Sequence, residues 1–210
     1  LAASFPIFLR GWWLPVVPPA LAWVGSWGIS AVVALVLERR ARDILDRLLF
    51  SHVSEKVARK LWRESDELAV HGRLPAQNAC ITVLMTDLEG FTKSSERLEP
   101  NELMRWLNEY MDVMVPIVEQ HDGLVDGYWG DAIKADFGAP EPRDESAEIE
   151  ADAVNAVRCA LAMGEAMKSL ITGWKAAGYP AVRMRIGINT GSVVMGSQGS
   201  RERLKYTSMG

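Results

Sequence analysis

The sequence holds only two cysteines, Cys80 and Cys159, both among apolar neighbours and neither in CxxC spacing. A disulfide framework or a zinc site is therefore not expected, and a reducing compartment fits. Histidine is equally sparse: His52, His71 and His121 are scattered, as solvated or capping side chains would be. Basic residues form no stripe, and the formal net charge is −4. Because a phosphate backbone needs a positive surface, nucleic acid is not expected as a partner.

The longest absence is of charge. No charged residue occurs from Gly11 to Leu37, a run long enough to cross a bilayer core of about 30 Å as a helix. Pro15, Pro18 and Pro19 crowd its beginning, so a regular helix is expected from near Pro19, where proline is tolerated in the first turn. Trp12, Trp13, Trp23 and Trp27 supply interfacial anchors. A signal peptide would need a basic start and a small-residue cleavage site, and neither is present. Arg39, Arg40 and Arg42 follow at once, which by the positive-inside rule places everything after them in the cytoplasm. Residues 1–37 are thus expected to be a membrane segment in contact with lipid, its transmembrane helix at about 15–37, in the inner or plasma membrane. The chain opens on Leu1 rather than methionine, and an earlier start is expected.

Residues 38–78 read as a connecting, mostly helical linker segment. Ala41, Ile44, Leu45, Leu48 and Leu49 make an apolar stripe at helical spacing. Ser54 suits the N-cap of a second helix carrying Val57, Leu61 and Trp62. Such a stripe serves either plain packing or a parallel two-helix coupling element. The polar patch from His71 to Asn78 marks a boundary.

From Ala79 onward strands and helices alternate, and the chain is organised around ITVLMTDLEGFT, Ile81 to Thr92. An apolar run delivers Asp87 at the point where hydrophobicity stops, followed by Glu89 and Gly90. A strand-end carboxylate followed by a glycine, which lets backbone N–H groups approach a ligand, suits a metal held against phosphates. Downstream, LVDGYWGDAIKADFG (residues 124–138) puts Asp131 at the turn of a hairpin; on its own it reads as a turn former beside Gly130. Two strand-end aspartates can converge on divalent cations that serve phosphoryl chemistry. Between them a helix begins at Pro100, with Leu103, Leu107, Tyr110, Met111 and Met114 as its buried face, Trp106 alongside, Pro116 as a possible kink and Gly123 as its stop. A second long helix shows Ala153, Val157, Ala160, Leu161, Met167 and Leu170 at helical spacing. Then VRMRIGI alternates as a half-buried strand, Gly191, Gly196 and Gly199 punctuate a hairpin, and Tyr206–Thr207 open another strand. The order βαββαβ predicts an α+β sandwich of the ferredoxin-like kind with helices on one face.

TDLEGFT, DGYWGDAIKADFGAP and RIGINTGSVVMGSQGSRERLKYTSMG, in this order and spacing, resemble the catalytic domain of class III nucleotide cyclases over residues 79–210. FSHVSEKVARKLW is similar to the segment leading into that domain in bacterial membrane-bound adenylate cyclases. RGWWLPVVPP resembles the membrane part that follows an extracytoplasmic sensor of the CHASE kind. The resemblance implies conversion of ATP, or GTP, to the 3′,5′-cyclic monophosphate and pyrophosphate with two Mg²⁺ or Mn²⁺ ions. It implies that Asp87 and Asp131 hold the metals with the backbone carbonyl of Leu88, and that the amides of Gly90, Phe91 and Thr92 cradle the β- and γ-phosphates. It also implies a homodimer in which one catalytic domain gives the metal aspartates and the other the base-binding residues.

Some positions depart from the family's pattern. Gly127 stands where adenylate cyclases carry an adenine-reading lysine and guanylate cyclases a glutamate; its partner position is Thr207, whose hydroxyl can help recognise the base. Lys134 and Asp136 occupy a usually apolar strand and are expected to pair with each other or with Arg183 or Arg185. The asparagine and arginine implied for the transition state lie beyond Gly210, so the 210-residue chain is expected to be C-terminally incomplete as a catalytic domain and inactive or nearly so. Adenylate cyclase is the leading expectation. A guanylate cyclase and a degenerate homologue serving as a regulatory or dimerising partner are the alternatives.

Overall fold

The computed structural model describes residues 54–65, 72–200 and 203–210, with seven helical positions between Trp23 and Ala34. The chain divides into two compact units, Leu1–Val53 and Ser54–Gly210. The expected membrane segment and the stripe from Ala41 to Leu49 fall, those seven positions apart, outside the described residues. Among the described residues no helix is long and apolar enough to cross a membrane.

The second unit opens with helix α1, Glu55–Arg63, capped as expected by Ser54, whose hydroxyl accepts the Val57 N–H at 3.3 Å. Val57 and Ala58 are buried and Trp62 is exposed. Lys60 is buried too, which a lysine tolerates only when paired; its ammonium lies 2.8 Å from Glu64 and 3.7 Å from Glu141. Thereafter come β1 (Gln77–Leu88), a short helix α2 (Phe91–Ser95), α3 (Pro100–Gln120), β2 (Leu124–Trp129) and β3 (Ala132–Phe137). Helix α4 (Ser146–Ala177), β4 (Met184–Ser200) and β5 (Arg203–Met209) complete it.

The five strands form one antiparallel sheet in the order β2-β3-β1-β4-β5. Its first four strands have the expected ferredoxin-like order, with β1 in the interior. Leu84 and Leu88 of β1 and Ile133, Ala135 and Phe137 of β3 pack against α3 and α4 in one core. Successive strand residues point to opposite faces, so Met85 and Asp87 look away from the helices.

Three local readings need correction. In α3 the centre of the buried face is Trp106, with Tyr110, Met114 and Val118, while Leu103, Leu107 and Met111 are only partly buried. Trp106 stacks on Phe91 and lies 5.1 Å, centroid to centroid, from Trp174 of α4, so the two long helices meet through their largest side chains. In α4 the buried stripe is Asp152, Ala156, Cys159, Met163, Met167, Leu170 and Trp174; Val157 and Leu161 are exposed. That helix is apolar on more than one side, and spacing alone allows either stripe. Gly191 and Gly196 lie inside a 17-residue β4 rather than at turns. Gly191 pairs with Ile81, and a Cβ on Gly196 would stand 3.2 Å from the Ala76 backbone. Gly199, at φ 129°, is also in β4, paired with Leu204 one residue before the strand ends.

Candidate active site

Asp87 leaves the end of β1 on the helix-free face. Directly across in the ladder stands Arg185 of β4, whose Nε donates to Asp87 Oδ2 at 2.9 Å and whose Nη2 contacts the same oxygen. Both side chains are well exposed, 48% and 67%. An ion pair so hydrated is weak, and it leaves the carboxylate open to a cation of higher charge.

Asp131 reaches the same strand end from the other side. The β1–β3 ladder is regular as far as Met85 and Lys134; beyond it side chains replace backbone partners. The Ile133 N–H donates to Thr86 Oγ1 at 3.0 Å, and that hydroxyl shares a 2.9 Å hydrogen bond with the Tyr110 phenol. One step further, the Leu88 N–H donates to Asp131 Oδ2 at 2.7 Å. Gly130, at φ 66°, makes the tight connection that brings Asp131 round, a conformation easy only for glycine. Since Leu88 follows Asp87 directly, the two acidic residues meet at one strand end. Tyr110 registers both: its pKa is pushed up to about 12, chiefly by burial, with its bond to Thr86 pulling the other way and the charges of Asp131 and Asp87 adding to the rise.

After this end the chain turns through Glu89, whose N–H donates to the Arg183 carbonyl at 2.8 Å and whose carboxylate accepts from Arg183 Nε at 3.0 Å. Gly90 then caps α2 at φ 75° with no side-chain cap, so the first-turn amides have no acceptor within the helix. Phe91 points its ring into the core against Trp106 and anchors this turn.

The donor set fits a hard divalent cation. Two carboxylates and a backbone carbonyl are oxygen ligands, and Mg²⁺ characteristically takes one or two carboxylates and fills its shell from phosphate and water. Among the described residues no group of three or more His, Cys, Asp or Glu gathers. Two carboxylates would leave most of a metal's coordination shell to water or to the oxygens of a ligand.

Gly127 and Thr207 are connected through Asp126, a residue that the sequence did not single out. The β2–β3 register shifts between Val125 and Gly127, leaving Asp126 as the extra residue, and a bulge of this kind re-aims a side chain. Asp126, 2% exposed, accepts from Thr207 Oγ1 at 2.8 Å, lies 2.7 Å from Lys134 Nζ and 3.3 Å from Lys205 Nζ. Thr207 is buried, and its hydroxyl proton is committed to that carboxylate. Lys134 also donates to Ser208 Oγ at 2.6 Å and lies 3.4 Å from Asp136. The expected Lys134–Asp136 pair thus forms, whereas Arg183 and Arg185 go to Glu89 and Asp87. Burial pushes the Asp136 pKa up, against the pull of its Ser208 hydrogen bond and the Lys134 charge; its Oδ1 is buried with no hydrogen-bond partner among the described residues.

Residues 74–210 match the adenylate and guanylate cyclase catalytic domain. Adenylate cyclase 1 of Rhizobium meliloti (strain 1021) is 37% identical over 154 residues, covering 73% of this chain and 22% of that protein. The adenylate cyclase of Anabaena cylindrica is 35% identical over 130 residues, 62% of this chain and 24% of that protein. The chain thus spans less than a quarter of the length of these relatives. Among solved structures, the adenylyl cyclase CyaB from P. aeruginosa has a TM-score of 0.60 at 37% identity, over 65% of this chain and 68% of that one. The guanylyl cyclase Cya2 has a TM-score of 0.59 at 38% identity, over 64% and 66%. A match over most of the chain places it in the class III nucleotide cyclases, the adenylate and guanylate cyclase catalytic domain family.

Proposed function

We propose that the protein is an adenylate cyclase, forming 3′,5′-cyclic AMP and pyrophosphate from ATP at a site centred on Asp87 and Asp131. The observation that carries this reading is the 2.7 Å bond from the Leu88 amide to Asp131, which fixes the second carboxylate beside the first. Asp87, Asp131 and the Leu88 carbonyl are the residues that would hold two Mg²⁺ or Mn²⁺ ions. When bound, the metals supply activation of the ribose 3′-hydroxyl and charge neutralisation on the triphosphate. The chain's own part is positional. Thr86 and Tyr110 brace the strand end, Asp131 is locked by the Leu88 amide, and Arg185 holds Asp87 until a stronger cation takes it. The amides of Gly90, Phe91 and Thr92 would donate to the β- and γ-phosphates, with no side-chain cap in competition. Catalytic domains pair as a homodimer, since on one subunit the metal carboxylates and the Asp126–Thr207 cluster serve different halves of a nucleotide. The uncharged run from Gly11 to Leu37 anchors the protein in the membrane with the catalytic domain in the cytoplasm.

The full-length protein carrying this chain should therefore sediment with membranes and convert Mn-ATP to cyclic AMP. Asp87→Asn should lower turnover on the order of 10³-fold with the fold unchanged by circular dichroism. An Asp87→Asn variant as active as the parent would refute the assignment. Guanylate cyclase remains the second reading because Cya2 is as similar as CyaB; turnover of GTP in preference to ATP would decide for it. Gly127, Lys134 and Asp136 are the grounds for a degenerate, purely regulatory homologue; the pairing of Lys134 with Asp126 and of Asp136 with Ser208 weakens the second and third of them.

A further inference from the structure

We infer that Lys205, on β5, reads the purine base and supplies from another strand the cationic donor that Gly127 cannot. A Cβ built on Gly127 would stand 2.7 Å from Lys205 Nζ and 3.7 Å from Trp129 Cη2. The ammonium of Lys205 thus sits where a side chain at position 127 would start. It is held there from two directions, 3.3 Å from Asp126 Oδ1 and 4.9 Å from the centroid of the Trp129 ring. The Asp126 carboxylate is buried, whereas Lys205 is 48% exposed, so the charge is anchored on one side and open on the other. Trp129 and Tyr128 beside it are half-exposed aromatic surfaces, suited to a flat heterocycle.

The hydrogen-bonding inventory narrows the ligand. Thr207 gives its proton to Asp126 and keeps acceptor capacity, while Lys205 can only donate. A donor beside an acceptor matches a purine edge: in adenine N1 accepts and the exocyclic amine donates, and in guanine O6 accepts and N1–H donates. Gly127 is then the residue that makes room for Lys205: any side chain there would contest the space its ammonium fills. The bulge at Asp126 is what turns the anchoring carboxylate toward β5. This inference rests on the cyclase reading but concerns only how the base is held.

The test uses the full-length protein and separates the two. In Lys205→Ala the KM for ATP should rise about 10- to 100-fold with kcat less affected, while Mn-dependent binding of inorganic tripolyphosphate, which has no base, stays unchanged. Replacing ATP by its 1-deaza analogue should weaken the parent similarly and Lys205→Ala hardly further. Adding Gly127→Lys to Lys205→Ala should restore much of the ATP affinity, since the vacated space then accepts a lysine from β2. A KM for ATP within twofold of the parent, or an undiminished 1-deaza penalty in Lys205→Ala, would overturn the inference and leave the cyclase reading intact. Failure of the parent to bind tripolyphosphate or turn over ATP with Mn²⁺ would overturn the cyclase reading itself, and this inference with it.

Discussion

At the scale of single residues, Asp136 shows how a charge survives inside the sheet and at what cost. Its side chain is 2% exposed, with Lys134, Ser208 and Asp126 around it, and burial raises its pKa above the ordinary 3.8. A carboxyl with a raised native pKa holds its proton more tightly folded than unfolded. Its contribution to stability is therefore fully present below the unfolded value and is lost as pH rises through the native one. The parent should accordingly lose melting temperature relative to Asp136→Asn as pH rises from about 4 toward neutrality. A constant difference across that window would show that Lys134 already compensates the charge. Burial acts alike on Cys159, whose thiol is pushed up to about 11 and so has no thiolate character at neutral pH; Cys159 is a packing residue.

At the scale of elements, α4 decides how firmly the helical layer grips the sheet. Met163 is fully buried and Leu161, two positions away, is 69% exposed. Met163→Ala should cost about 2–5 kcal/mol by opening a cavity in a close-packed layer. Leu161→Lys should fall within about 0.5 kcal/mol of the parent. Urea denaturation of both variants checks the assignment, and the reverse order of costs would restore the stripe read from spacing. The β4–β5 hairpin has a different task. It carries Lys205, Thr207 and Ser208 across to Asp126, Lys134 and Asp136 of β2 and β3, and the Tyr206 hydroxyl donates to the Pro140 carbonyl at 3.1 Å. Glu141, the next residue, is held by Lys60 and Arg63 of α1, so the helix leading into the domain is tied to the loop that supports β5.

At the scale of the molecule, a proposed site divided between two catalytic domains makes activity depend on association. Specific activity of the full-length protein should fall on dilution and recover on concentration, in step with the dimer fraction from light scattering. Activity per mole that stays flat while the protein dissociates would argue for a site complete in one subunit.

What could be read without coordinates, and what could not, divides along the range of the interactions. Local patterning was enough for the strand ending at Asp87, the helix from Pro100 and the Gly130–Asp131 turn, because a backbone's hydrophobic period and glycine's left-handed freedom act over a few residues. It also sufficed, through three motifs in register, for the family. The Asp87–Arg185 pair, the Leu88 amide on Asp131 and the Asp126–Lys205–Thr207 cluster join residues about 40 to 100 positions apart. Strand order, register and a one-residue bulge create those encounters, and a slip of one position would turn every such side chain to the opposite face. Helix α4, apolar on more than one side, marks the same limit: its sequence permits two buried stripes, and packing against the sheet selects one.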